Sequence, residues 1–144
     1  MTNPFELTAT DAIKLIGNNK LSRYEWVQSC FERIREKEDL VKAWIYLDED
    51  RALEKAKQLD NENNESQLGI PFGIKDIIDA SNTPTGFGTN FYQNNVPMRD
   101  AASVAVAKQS GCIFIGKTVS TELGHRAPGS VSYTHLRAHE TINH

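Results

Sequence analysis

The chain has 144 residues, 39% of them hydrophobic and 24% charged, with a formal net charge of -3. That length fits one domain able to bury roughly two thirds of its unfolded surface. The acidic balance argues against a general nucleic-acid or anionic-membrane binder, and no apolar run is long enough to span a bilayer.

The opening residues Met1 to Glu6 carry neither a basic n-region nor an apolar h-region, so no signal peptide is expected. Cys30 and Cys112 lie in apolar periodic contexts without metal spacing, as in reduced core residues of a cytoplasmic protein. Thr8 and Asp11 suit a helix start, followed by an apolar stripe of Ala12, Ile13 and Ile16 that ends near Gly17. Ser22 and Glu25 have the spacing of a capping box, and Val27, Cys30, Phe31 and Ile34 follow as one core-facing stripe.

Ala43 to Leu47 reads as a strand closed by Asp48, which suits the N-cap of the next helix. That helix turns Ala52, Leu53, Ala56 and Leu59 inward and ends in the polar stretch Asn61 to Ser66. A second strand is predicted around Phe72 to Ile78, and Ser81 to Pro97 holds too many Gly, Pro and Asn residues for regular structure. Asp100 is placed to cap a helix through Val104 and Ala107, with Gly111 at its left-handed C-terminal cap. Cys112 to Ile115 is a continuous apolar run, as in a strand buried on both faces. Strand, crossover helix and strand in this order predict a parallel pair in an α/β sheet.

The segment Gly69-Ile-Pro-Phe-Gly-Ile-Lys-Asp76 is the most informative in the chain. Its alternation predicts a half-buried strand that ends on Lys75, near the position where α/β proteins bind ligands. Burial disfavours a charged ammonium, and a neutral lysine is a candidate general base. The competing reading is a strand-end lysine that reaches water or pairs with Asp76 or Asp79. Lys117, just past the buried run, is read as a surface lysine rather than one facing the crevice.

Gly69 to Asp79, Thr83-Pro-Thr-Gly86, Asp100 to Val106, and Gly111 to Thr118 with Glu122 together resemble the start of amidase signature enzymes. The resemblance runs over roughly residues 5 to 129, read as the N-terminal portion (1–129) of an amidase domain. It implies an α/β fold, a mostly parallel mixed sheet flanked by helices, here truncated. It also implies amide hydrolysis through a Ser-cisSer-Lys triad, with Lys75 as the triad lysine and a small-molecule amide as substrate. No cofactor, metal, membrane or direct nucleic-acid contact is implied, and the oligomeric state is unknown. The Thr83 to Gly88 loop, with Thr83, Thr85 and Gly86, is placed at the substrate-pocket wall.

The family's bridging and nucleophilic serines lie in a Gly/Ser-rich stretch downstream of the Pro-Gly seen here at Pro128-Gly129, and that stretch is missing. The oxyanion-hole amides belong to the same stretch. By this reading the fragment is inactive alone. A runner-up within the family is the amidase-type A subunit of a glutamyl-tRNA amidotransferase, which shares Lys75 and works with partner subunits. From Ser130 the composition shifts, and three of the four histidines fall in the last fifteen residues. Val131 to Thr141 resembles a translated sequencing adapter, so 130–144 is read as a non-native tail. His135 and His139 stand four apart, but the following glutamate breaks the zincin order, and no metal is assigned.

Two readings from other classes fare worse. A nucleotide-binding turn at Gly86-Phe-Gly-Thr-Asn-Phe91 lacks its third glycine and opens no helix. A helical interaction module of residues 8 to 60 would leave the Lys75 strand without a purpose.

Overall fold

Side-chain caps start the helices where the sequence places them. The Thr8 hydroxyl accepts from the Asp11 amide at 3.1 Å and opens α1 (Ala9–Gly17). The Ser22 hydroxyl accepts from the Glu25 amide at 3.0 Å, while the Ser22 amide donates to Glu25 at 2.8 Å, closing the capping box of α2 (Arg23–Val41). The Ser22 amide, with the Ser22 hydroxyl donating to the same carboxylate oxygen at 2.9 Å, holds the Glu25 pKa below its ordinary value. β1 (Trp44–Leu47) leads into α3 (Glu49–Glu62), whose first turn receives an Asp48 carboxylate at the Arg51 amide, 3.4 Å away. β2 (Pro71–Lys75), α4 (Ala102–Gln109) and β3 (Ile113–Thr118) complete the series. The computed structural model describes residues 3–62 and 66–125. The tail assigned to residues 130–144 lies outside them, as do His135 and His139.

The three strands form one sheet in the order β1-β3-β2. β1 runs antiparallel to β3, with Tyr46 opposite Lys117 and Leu47 opposite Gly116. Along β2 and β3 the backbone bonds ascend together, from Gly69 to Gly111 and from Ile113 to Ile70, and beyond the strand from Asp76 to Thr118. That is the pattern of a parallel pair joined through α4. The mixed α/β architecture is therefore the one expected. β2 is shorter than predicted: it stops at Lys75, and the Ile78 amide turns back to the Lys75 carbonyl at 3.0 Å. The apolar Ile77 and Ile78 extend the strand-like pattern in sequence, but Asp76 leaves the strand to reach a buried partner.

The described residues group into two compact units. The first takes residues 3–36, 48–62, 66–72 and 105–115. Val27, Phe31, Ala52, Ala56, Leu59 and Ile113 are buried in it, and full burial of each large side chain among them stabilises by about 1.5–3 kcal/mol. Cys30 is only half-buried, and burial raises its thiol above the ordinary value. Phe72 and Phe114 meet edge to face at 5.9 Å. Gly111 closes α4 with φ +77, and a Cβ there would also collide with the backbone of Gln67.

The second unit takes residues 37–47, 73–104 and 116–125. Ile74, Ala80 and Val104 are buried in it. Asp100 accepts from the Ser81 amide at 2.7 Å, and the Ala101 amide donates to the Asp79 carbonyl at 2.9 Å, tying the irregular passage to the start of α4. That passage contains one short 3-10 turn, Asn90–Tyr92. Among the described residues no helix is long and apolar enough to cross a membrane.

Candidate active site

Strand alternation separates Lys75 from its neighbours. Ile74 and Asp76 are buried, whereas Gly73 and Lys75 belong to the opposite, exposed face. A Cβ on Gly73 would collide with the indole of Trp44, so only glycine lets that ring lie against β2 two residues before Lys75. The Lys75 ammonium itself is exposed, and it makes no hydrogen bond or ion pair among the described residues. This corrects the expectation of a lysine already desolvated by its strand. The half-buried pattern is real, but it buries the other face. Pairing with Asp76 or Asp79 is also absent.

Asp76 is engaged elsewhere. The residue is 2% exposed, and both carboxylate oxygens accept from the Gly86 amide at 3.1 Å. Its own amide donates to the Thr118 carbonyl at 2.9 Å, and its carbonyl accepts from the Phe87 amide at 2.9 Å. Facing it is a lysine whose expected place was wrong. Lys117 is not at the surface but completely buried. Its ammonium donates to the Ile78 carbonyl at 2.6 Å and to the Thr85 hydroxyl at 2.7 Å, and lies 3.7 Å from Asp76 Oδ1.

An ammonium has three donors and no acceptor. Lys117 directs two of them into short bonds and leaves one side toward Asp76. Burial pushes its pKa down, and the negative charges of Asp76 and Asp79 pull it back up without overcoming the burial. Asp79 Oδ1 is itself buried without a hydrogen-bond partner. The cluster is thus an acid-base group enclosed beneath the turn that follows Lys75.

The three pocket-wall candidates belong to the same cluster. Thr85 is fully buried against Lys117, and Thr83 is fully buried with its hydroxyl 3.3 Å from the Ser81 carbonyl. Gly86, half-buried, reaches Asp76 through its amide. Their polar groups point inward, behind the loop. Past them Phe87 and Gly88 are both left-handed, at φ 53 and φ 66, and the Phe87 carbonyl accepts from the Leu123 amide at 2.8 Å. The bonds that Phe87 makes from both ends hold a non-glycine residue in that region. Among the described residues no group of three or more His, Cys, Asp or Glu side chains is placed to hold a metal ion.

The sequence pattern does not announce Asp76 and Lys117 as a pair. A signal for them exists in the run Ile113 to Lys117, which is buried throughout. A lysine continuing an apolar strand that is covered on both faces has no route to water, and its partner must be an acid brought beside it.

A protein-family model described as Amidase matches residues 25–140. The chain belongs to the amidase family. Among its curated relatives is the A subunit of the glutamyl-tRNA(Gln) amidotransferase of Endomicrobium trichonymphae. It is 33% identical over 113 residues, covering 75% of this chain and 23% of the relative. The corresponding protein of Fusobacterium nucleatum is 33% identical over 146 aligned positions, covering 98% of this chain and 29% of the relative. Among solved structures, the native peptide amidase of Stenotrophomonas maltophilia superposes with a TM-score of 0.75 at 26% identity, over 84% of this chain and 26% of that one. Fatty acid amide hydrolase shares the fold, with a TM-score of 0.76 at 21% identity over 83% of this chain and 23% of the other. The chain spans between 23% and 29% of the length of these curated relatives.

Proposed function

We propose that this chain is the N-terminal portion of an enzyme that hydrolyses small-molecule amides, with Lys75 as the base of a Ser-cisSer-Lys relay. The observation that carries the reading is the family match over residues 25–140, which includes the strand that ends on Lys75. The exposed amine at the end of β2 supports it, because a base must be reachable by the hydroxyl it serves. In this reading the amine takes the proton of the nucleophilic serine through the bridging serine, and the nucleophile displaces the substrate's amine, which leaves with that proton, to give an acyl-enzyme that water hydrolyses. Both serines, and the amides that stabilise the oxyanion, come from a Gly/Ser-rich continuation in place of residues from about 130. The loop at Thr83, Thr85 and Gly86 forms the pocket wall, with its threonines acting from behind it. The reaction needs no cofactor. The free cysteines Cys30 and Cys112 suit a cytoplasmic location.

The test is release of ammonia from carboxamides by the full-length protein obtained from the source locus. Lys75→Ala is expected to lower kcat at least about 10³-fold; near-normal turnover by that variant would overturn the assignment. The 144-residue chain alone is expected to show none, and turnover by it that depends on Lys75 would overturn the claim that the serines lie elsewhere. Sequencing the locus is expected to replace the His-rich tail. A second reading, the A subunit of a glutamyl-tRNA amidotransferase, is favoured by the names of relatives such as those of Endomicrobium trichonymphae and Fusobacterium nucleatum. Both readings use the same lysine. Copurification of partner subunits with the full-length protein would select the second.

A further inference from the structure

We propose that Lys117 is a positioning residue for Lys75, holding the backbone on which the proposed base stands; this rests on the role given to Lys75 above. The Lys75 amine has no partner of its own among the described residues, so its direction is set by the chain beneath it. On the C-terminal side that chain is a tight turn, closed by the Ile78 amide on the Lys75 carbonyl at 3.0 Å. The Lys117 ammonium binds the far end of the turn at the Ile78 carbonyl and, through Thr85, the loop beside it. Its charge also lies against Asp76, the residue next to Lys75, whose carboxylate is held in turn by the Gly86 amide. One enclosed cation thus gathers three segments: the turn 76–78, the loop 85–86 and β3. Lys75 projects from the other face of the strand, so Lys117 acts on it through the main chain and never meets the substrate.

A neutral residue at 117 leaves the turn without its central donor. The base then samples directions in which its nitrogen misses the relay, and a displacement of about 1 Å in such a group costs on the order of 100-fold in rate. The wall at Thr85 and Gly86 loosens with the turn, so KM rises as well; the signature is a fall in kcat larger than the rise in KM.

The experiment compares Lys117→Met, Thr85→Val and Lys75→Met in the full-length enzyme on one carboxamide. It is paired with amide hydrogen exchange on the 144-residue chain. Lys117→Met is expected to lower kcat by about 10- to 100-fold with a smaller rise in KM, and to speed exchange at Gly86 and Phe87 but not at Tyr24. Thr85→Val, which keeps volume and removes one partner, is expected to move both readouts the same way by less; it carries the test if Lys117→Met does not fold. Val104→Ala, a cavity in the same unit, is expected to lower thermal stability and leave kcat alone. Normal kcat in Lys117→Met or in a folded Thr85→Val, beside an inactive Lys75→Met, overturns the positioning role and leaves the base in place. An active Lys75→Met overturns both, and the exchange data then report whether the clamp exists at all.

Discussion

The Lys117 ammonium and the Asp76 carboxylate face each other across 3.7 Å, with both side chains shielded from solvent. Neither is satisfied by the other alone: Gly86 supplies Asp76 with a donor, and Ile78 and Thr85 supply Lys117 with acceptors. Taking away one member strands the rest. Lys117→Met is expected to destabilise the chain by about 3 kcal/mol, because it leaves the Ile78 carbonyl and the Thr85 hydroxyl without their shared donor inside the fold. Lys117→Met combined with Asp76→Leu is expected to be less destabilised than the sum of the two single changes, and urea midpoints of all four proteins measure the coupling. Strict additivity would mean that the two groups do not interact.

The same pair gives the chain a pH dependence of definite sign. Burial depresses the folded-state pKa of Lys117 below that of the unfolded chain, so the unfolded state holds more protons between the depressed value and about 10.4. Stability from this group is complete above that window and is lost as pH falls through the folded value. The free-energy gap between wild type and Lys117→Met is therefore expected to widen as pH rises toward about 10. Urea titrations at several alkaline pH values check it. A gap independent of pH would remove Lys117 as the source.

How far the fold was legible follows from where its information is local. The Thr8 and Ser22 caps, the stripe through Val27 and Phe31 and the Gly111 terminus each depend on residues within a few positions of one another, and each is present. The two lysines depend on packing across long separations, and their burial is the reverse of the one expected. Lys75 ends a half-apolar strand but belongs to its exposed face; Lys117 looks like a strand-end cation but has Ile78 and Thr85 folded over it from 39 and 32 positions away. Alternation states that a strand has two faces. It does not state which one the rest of the chain covers.

The contrast between the lysines is itself testable on the 144-residue chain. With its ammonium in water and no partner among the described residues, Lys75 carries no interaction whose loss would unfold the chain. Lys75→Met is expected to change unfolding free energy by less than about 0.5 kcal/mol, the range of surface substitutions away from special features. Thermal melts of Lys75→Met and Lys117→Met side by side show the order. Equal losses would place Lys75 in a buried environment after all.

In the other unit the start of α2 is secured by two devices of unequal weight. The Ser22 hydroxyl satisfies one orphan amide, that of Glu25. Asp60, at the end of α3, satisfies the next two: its oxygens accept from the Arg23 amide at 2.9 Å and the Tyr24 amide at 3.0 Å. The same carboxylate lies 3.5 Å from the Arg23 guanidinium, which is itself mostly buried and donates to the Gln67 carbonyl at 2.8 Å. Ser22→Ala removes a single exposed cap and is expected to cost about 1 kcal/mol. Asp60→Ala uncovers two backbone donors and takes the countercharge from an enclosed guanidinium, so about 3 kcal/mol is expected. Asp60→Asn keeps one acceptor oxygen and belongs between them. The three urea midpoints fall in that order if α3 holds α2 through charge as well as through its apolar stripe; an Asp60→Ala loss no larger than that of Ser22→Ala would leave the stripe alone responsible.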